Sequence, residues 1–164
     1  MTTILPIAIS ILRYGKDYLF IRREKPPYEG LWSLVGGKIS EGEHIRSAAI
    51  REVMEETGAQ KVDNYDYRGV VSERLVDANG RLMAHFLIFV SYAEIDRCDV
   101  RSSEGALGLF SEDLVLSQDK AFLPSDWFMF RELRRPRSEL GMYEAELART
   151  DSQYSLIYFR EAGR

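Results

Sequence analysis

The chain has 164 residues, of which 45% are hydrophobic, and its formal net charge is −4. This length suits a single domain over residues 1–164 that buries roughly two thirds of its surface. Acidic and basic residues are interleaved without a basic stripe, which argues against long nucleic acid as a partner. The one cysteine, Cys98, excludes an internal disulfide bond and suits a reducing compartment.

The first apolar run, residues 4–9, is too short to span a bilayer and lacks the basic leading region and cleavage site of a signal peptide. We therefore expect a cytoplasmic protein with no membrane partner. Two β-type runs, residues 4–12 and 18–23, flank turn-forming residues and predict a hairpin. A short strand over residues 31–35 then enters the double glycine Gly36-Gly37, which permits a tight turn.

Three glutamates at helical spacing follow this turn. Glu52, Glu55 and Glu56 stand at i, i+3 and i+4, so a helix places all three on one face. Such a cluster repels itself unless a cation binds, and Mg²⁺ is commonly shared between one or two carboxylates and the phosphates of a substrate. The pattern predicts a Mg²⁺-diphosphate site. The opposite side of the helix is predicted to pack on a core through Ile50, Val53, Met54 and Thr57.

The residues around this helix predict where it begins and ends. Ser40, with Glu43 three residues later, has the form of a capping box. Gly58 supplies a C-terminal stop. Arg51 precedes Glu55 by four positions, a spacing that allows an ion pair which orients the carboxylate.

The second half of the chain is predicted to contain more strands and one further main helix. Residues 65–76 and 81–94 are β-type runs joined by an Asn-Gly turn. Residues 107–110 form a short strand that precedes a brief helical turn capped at Ser111. Pro124-Ser125-Asp126 is predicted to open a helix with an N-cap, and residues 142–147 and 154–160 predict a terminal hairpin. These elements indicate an α+β fold or an α/β/α sandwich.

The spacing between Gly37 and Gly58 resembles the Nudix box of the Nudix hydrolases. Five residues separate Gly37 from Glu43, and seven more lead to the run Arg51-Glu52-Val53-x-Glu55-Glu56-x-Gly58. Ala59 departs from the larger aliphatic residue that this family prefers. The resemblance implies an α+β, Nudix-type α/β/α sandwich with a mixed β-sheet. An acidic, solvated helix face with no chemistry is the simpler alternative.

The resemblance also implies a cofactor and a set of site residues. The cofactor is Mg²⁺, with Mn²⁺ as a substitute, and its expected ligands are Glu52, Glu55, Glu56 and the Gly37 carbonyl. The same three glutamates and Glu104 are the catalytic candidates. Glu104 resembles a general base on a later loop, although a solvated loop glutamate explains it equally well and Glu52 or Glu56 could be the base instead. Glu43 matches a family position, but a capping role accounts for it too.

The expected substrate is a small nucleotide. Arg23 and Lys38 are predicted to contact its phosphates. The order of elements after Glu104 is similar to MutT-type oxidised purine nucleoside triphosphatases, which implies that Asp126 contacts the base; Leu123 and Ser125 depart from that pattern. The reaction expected is hydrolysis of the triphosphate to a monophosphate and pyrophosphate. The alternatives are an ADP-ribose or nucleotide-sugar pyrophosphatase and a non-catalytic nucleotide-sensing module, and a homodimer stays open.

Overall fold

The computed structural model describes residues 3–163. Within that range the chain forms one mixed sheet and three helices. The strands are β1 Ile4–Tyr14, β2 Asp17–Arg23, β3 Trp32–Ser33, β4 Val35–Lys38, β5 Val62–Val76, β6 Leu82–Ile95, β7 Arg101–Ser102, β8 Gly105–Phe110, β9 Gly141–Thr150 and β10 Gln153–Glu161. The helices are α1 Ile45–Thr57, α2 Glu112–Ser117 and α3 Pro124–Leu133.

The sheet combines local hairpins with two long-range parallel pairs. Its strand order is β10-β9-β5-β6-β1-β2-β8-β7, with β4 added to β1 and β3 added to β2. Strand β1 runs parallel to β6, and β5 runs parallel to β9, whereas the other pairs are antiparallel. The predicted hairpins β1–β2, β5–β6 and β9–β10 are all present. The mixed β-sheet expected from the sequence is therefore confirmed.

Helices cover both faces of this sheet because the buried residues of β1 alternate in direction. Ala8 packs with the buried alanines of α1, and Leu12 belongs to the same side through Val53. Ile9 and Ile11 point to the other side and pack with residues of α2 and α3. The sheet thus lies between α1 on one face and α2 with α3 on the other, which confirms the α/β/α sandwich.

Helix α1 differs from the prediction in its start and in its buried side. His44 is the N-cap, and its side chain makes no capping hydrogen bond. Glu43 accepts the backbone N–H of Ser40 at 3.1 Å, so the predicted capping box closes the preceding loop instead of the helix. Met54 is exposed, and the core-facing residues are Ala48, Ala49, Val53 and Thr57. Gly58 ends the helix in the left-handed conformation, as predicted.

The start of α3 also differs. Leu123 is the N-cap without a side-chain hydrogen bond, and Pro124 is the first helical residue, where its missing N–H has no cost. Ser125 and Asp126 are buried inside the first turn, so the predicted polar N-cap was wrong. Ser111 does cap α2 as predicted, because its hydroxyl accepts the Leu114 N–H at 3.2 Å. Among residues 3–163, no helix has the length and apolar character needed to cross a membrane.

Candidate functional site

The acidic face of α1 is directed away from the sheet. Val53 and Thr57 anchor the helix on the core, so the positions between them turn toward solvent. Glu52 keeps 13% of its side chain exposed, whereas Glu55 keeps 58% exposed. Glu56 is half-buried. The predicted trio therefore shares one helix face but spans three different degrees of solvation.

Gly37 brings the backbone of β4 against this face. It pairs with Ala8 of β1, which fixes its position on the sheet. A Cβ atom added at residue 37 would lie 2.5 Å from the carboxyl carbon of Glu52, a distance that real Cβ atoms essentially never show. Any other residue at this position would therefore displace the Glu52 carboxylate, which is the end of a flexible side chain. The structure thus juxtaposes two of the predicted metal-binding positions, Gly37 and Glu52.

Arg51 organises the carboxylates around this contact. Its Nη1 donates to Glu52 at 2.8 Å and to Glu55 at 3.2 Å, the i,i+4 pair expected from the sequence. Its Nη2 donates to the Lys38 carbonyl oxygen at 3.1 Å, which connects the helix to β4. These contacts raise the pKa of the guanidinium, because Glu43 and Glu52 stabilise its charged form. One cation thus holds the loop and helix together.

Glu43 belongs to the same network. It makes two hydrogen bonds to Arg51, at 2.7 Å through Nε and at 2.9 Å through Nη2. These bonds, followed by the one from the Ser40 N–H, lower the pKa of Glu43 to about 2. The contacts described give Glu43 an orienting role in the loop, and its role as a metal ligand stays a prediction.

Glu56 and Glu104 act on each other from separate elements. Burial is the first cause that raises the pKa of Glu56; the Ser102 hydroxyl lowers it, and the negative charges of Glu104, Glu52 and Glu55 raise it further. The Oε2 atom of Glu56 is buried and has no hydrogen-bond partner among the described residues. Glu104 lies in the β7–β8 turn, where its N–H donates to the Ser102 hydroxyl at 3.1 Å. The structure therefore brings this distant glutamate to the acidic face.

The donor set of this face fits a hard divalent cation, since every candidate atom is an oxygen. Glu56 offers a buried oxygen without a partner, and Gly37 lies against Glu52. Within residues 3–163, however, no three His, Cys, Asp or Glu side chains are arranged to hold a metal ion. Arg51 contacts one oxygen of Glu52 and one oxygen of Glu55. A bound cation would use the carboxylate oxygens that the guanidinium does not hold.

The two predicted phosphate-binding residues lie at the ends of neighbouring strands. Lys38 ends β4, is exposed, and connects to α1 through its backbone carbonyl. Arg23 ends β2, and its Nε donates to the Pro27 carbonyl at 2.9 Å. The positive charge of Arg23 also acts on Asp126. Lys38 thus lies beside the acidic face, whereas Arg23 interacts with Asp126, which belongs to the other side of the sheet.

Asp126 is buried, with 2% of its surface exposed. Its Oδ2 atom accepts the Leu34 N–H at 2.8 Å, so α3 is joined to the residue that connects β3 to β4. Burial and then repulsion from Glu73 raise the pKa of Asp126 to about 8, although the Leu34 N–H and Arg23 oppose this shift. Asp126 is therefore buried beneath the surface, close to the start of β4.

Glu73 is a candidate functional residue that the sequence analysis did not identify. It is 2% exposed, accepts the Tyr28 hydroxyl at 3.0 Å, and has a second oxygen without a partner. Burial raises its pKa, and the hydroxyls of Ser125 and Tyr28 partly lower it. Its signal was present in β5, where Val71, Glu73 and Leu75 follow the period of two that marks an inward face. We call Glu73 and Asp126 the buried acid pair.

The fold and site define an α/β/α domain in which a glycine-containing strand, not the predicted glycine turn, packs against an acidic helix. The NUDIX domain family model matches residues 4–144. Because this match covers most of the chain, the protein belongs to the Nudix family. The resemblance inferred from the Gly37–Gly58 spacing is confirmed.

The chain is similar to individual proteins whose names give different nucleotide substrates. The chain is 38% identical over 50 residues to a putative 8-oxo-dGTP diphosphatase of Bacillus subtilis, covering 30% of this chain and 32% of that protein. It is 34% identical over 90 residues to the CTP pyrophosphohydrolase of Escherichia coli, covering 48% of this chain and 67% of that protein. The crystal structure of a MutT protein from Bacillus halodurans matches with a TM-score of 0.75 and 24% identity, covering 98% of this chain and 99% of that one.

Proposed function

We propose that the protein is a Mg²⁺-dependent hydrolase that cleaves a nucleoside diphosphate linked to another group. The observation that carries this proposal is the packing of Gly37 against Glu52 on the same helix face as Glu55 and the unpartnered oxygen of Glu56. A solvated helix face would leave no buried carboxylate oxygen without a hydrogen-bond partner, as Glu56 Oε2 is. Mn²⁺ is expected to substitute, because it accepts the same oxygen ligands.

The residues of the site divide the work. A divalent cation, when bound, would neutralise charge on the bridging phosphates. Glu52, Glu55 and Glu56, with the Gly37 backbone, would hold that cation, and Arg51 would orient the first two carboxylates. Glu56 or Glu104 would accept the proton of the attacking water, since each lies in the other's field and is not held by Arg51. Lys38 and Arg23 would contact phosphate oxygens outside the metal site.

The proposed substrate is a purine nucleoside triphosphate, including oxidised forms, hydrolysed to the monophosphate and pyrophosphate. Support comes from the similarity to the putative 8-oxo-dGTP diphosphatase of Bacillus subtilis and from the hydrogen bond between Asp126 and Leu34, which lies three residues before Gly37. A carboxyl group can accept from ring N–H and amino donors, and its protonated form can also donate. Asp126, with its raised pKa, would be able to do both near neutral pH.

A single assay separates the alternatives. Release of pyrophosphate or monophosphate would be measured with Mg²⁺ or Mn²⁺, and again with excess chelator, over a panel of nucleoside triphosphates, oxidised triphosphates, ADP-ribose and dinucleotides. We expect cation-dependent turnover that is fastest on a purine triphosphate. If ADP-ribose is hydrolysed fastest, the proposed substrate is wrong but the proposed hydrolase activity stands. Tight nucleotide binding without turnover of any compound would instead identify a sensing module.

A further inference from the structure

A second charged region lies where the β1–β2 turn meets the end of α3. A cleft of about 420 Å³ opens there between the sheet and the helices. One acidic residue, Glu112, and two tyrosines contribute to its walls. We call it the basic cleft, after the cationic side chains that line it, which are Arg13, Lys16, Arg68, Arg134 and Arg135.

The basic cleft is separate from the acidic face of α1. Ala8 pairs with Gly37, and Arg13 follows five residues further along β1, which is about 17 Å of extended strand. The cleft also opens on the other side of the sheet, because its wall residue Tyr18 packs edge-to-face on Phe130 of α3 with ring centroids 4.8 Å apart. A ligand there would not touch the metal-binding carboxylates.

The floor of the basic cleft is built from immobilised groups. Arg68 is 4% exposed, and its Nε donates to Asp66 at 2.6 Å while its Nη1 donates to the Leu133 carbonyl at 2.7 Å. Its guanidinium also lies 4.6 Å from the centre of the Tyr92 ring. A buried arginine held by three neighbours keeps its charge in a fixed place without further ordering cost.

The rim of the basic cleft carries donors that are not fully used. Lys16 has no ion-pair partner within residues 3–163, whereas Arg13 donates through Nε to the Gly15 carbonyl and also interacts with the Tyr92 hydroxyl. Arg134 and Arg135 share the single carboxylate of Glu112, at 2.5 and 3.3 Å. Positive charge therefore exceeds negative charge along the walls, although the whole chain carries a net charge of −4.

We propose that the basic cleft binds a small phosphate-bearing anion, at a site distinct from the acidic face of α1. Arginine presents a planar fork of N–H donors that matches phosphate oxygens, and lysine adds a point charge. A volume of about 420 Å³ falls within the range of small-molecule sites. Five cations gathered around one cleft of this size suit a compact polyanion.

The test uses inorganic pyrophosphate as the probe and isothermal titration calorimetry in excess chelator, so that no divalent cation supports binding at the box. Lys16→Glu and Arg135→Glu reverse rim charges without touching the packed floor. Arg81→Glu is the matched control, because Arg81 is an exposed arginine on the β5–β6 hairpin with no side-chain ion pair among the described residues. Lys38→Ala reports on anion binding beside the box. Thermal unfolding of each variant checks that the fold is retained.

We expect pyrophosphate to bind the unmodified protein, and each rim variant to bind it at least about tenfold more weakly, the scale of one lost charge-assisted hydrogen bond. Arg81→Glu and Lys38→Ala should stay within about twofold, a difference too small to reflect a lost contact. The proposal is overturned by no binding to the unmodified protein, by unchanged binding in both rim variants, or by equal loss in Arg81→Glu or in Lys38→Ala. Much tighter binding of a single-stranded oligonucleotide, lost in the same rim variants, would also overturn it. The outcome does not depend on whether the protein hydrolyses nucleotides.

Discussion

Two groups of carboxylates lie on opposite faces of the sheet and have different surroundings. On the α1 face, Glu52 and Glu55 contact a guanidinium and remain partly solvated. On the α3 face, the two members of the buried acid pair accept hydrogen bonds: Glu73 from the Tyr28 hydroxyl and Asp126 from the Leu34 N–H. Arg23 acts on this pair only as a nearby charge.

The comparison shows how the surroundings of a carboxylate decide its chemistry. A positive partner and water favour the ionised form, which binds metal ions, whereas burial beside a second acid favours the protonated form, which can donate a hydrogen bond. The same residue types are therefore expected to serve catalysis on one face and recognition or packing on the other. The following experiments test this distinction, from the largest expected effect to the smallest.

The largest effect is expected from Glu56→Gln. This change keeps the shape of the side chain but removes a charge from the proposed cation site, so turnover should fall by at least about 10²-fold, the scale of losing one main electrostatic stabiliser. Steady-state release of pyrophosphate measures it. Glu41→Gln, on the exposed loop before α1, is the control and should retain full turnover. Equal turnover in both variants would remove Glu56 from the catalytic group.

Replacement of Asp126 tests recognition on the other face. Asp126→Asn retains an oxygen that can accept the Leu34 N–H but cannot act as a carboxyl group. If Asp126 contacts the base, kcat/KM for the preferred purine triphosphate should fall about 5- to 150-fold, the equivalent of roughly 1 to 3 kcal/mol. A poor pyrimidine substrate should change little. A parallel loss for all nucleotides would place the base elsewhere and leave Asp126 a packing residue.

Arg51→Lys tests the orientation of carboxylates on the α1 face. Lysine keeps the charge but cannot maintain the forked contacts with Glu43 and Glu52, so Mg²⁺ affinity or activity should fall about 10- to 100-fold, the usual effect of groups that orient metal ligands. A titration of activity against Mg²⁺ should show partial recovery at high concentration. Arg46→Lys, exposed on the same helix, should behave like the unmodified protein.

The smallest effect, when expressed per pH unit, is expected in the free energy of unfolding. Because the folded-state pKa of Asp126 is raised to about 8, the folded protein retains a proton that the unfolded chain releases near pH 4. The resulting stabilisation is fully present below the unfolded pKa and is lost as pH rises toward 8, at no more than about 1.4 kcal/mol per pH unit. Urea unfolding at several pH values should show a flatter dependence for Asp126→Asn than for the exposed control Asp119→Asn. Identical slopes would contradict the raised pKa.

The acidic face was predictable because its information is local. Glu52, Glu55 and Glu56 need only one helix to meet, and Gly37 is a few residues before it. The left-handed turn at Gly58 was predictable for the same reason. Sequence reasoning failed where a local polar pattern was assigned to a cap, since His44 and Leu123 occupy the N-cap positions instead.

The remaining features depend on contacts between distant segments. Glu73 and Asp126 approach each other only after β5 and α3 have packed against the same core, and the basic cleft gathers cations from both halves of the chain. The cleft could not be predicted because acidic and basic residues alternate along the sequence, so its cations do not form a basic run. The parallel pairs of β1 with β6 and of β5 with β9, which create these approaches, have no short-range signal comparable to an Asn-Gly turn.

The position of strand β1 in the sheet determines which part of the molecule unfolds last. It is bonded to β6 along one edge from Ile4 to Arg13, while its other edge joins β4 up to Ser10 and β2 from Leu12. Amide groups in the middle of β1 are thus enclosed on both edges, and their exchange with deuterium should require nearly complete unfolding. Since Gly37 pairs with this strand, β4 is held in place by the part of the chain that is expected to open last.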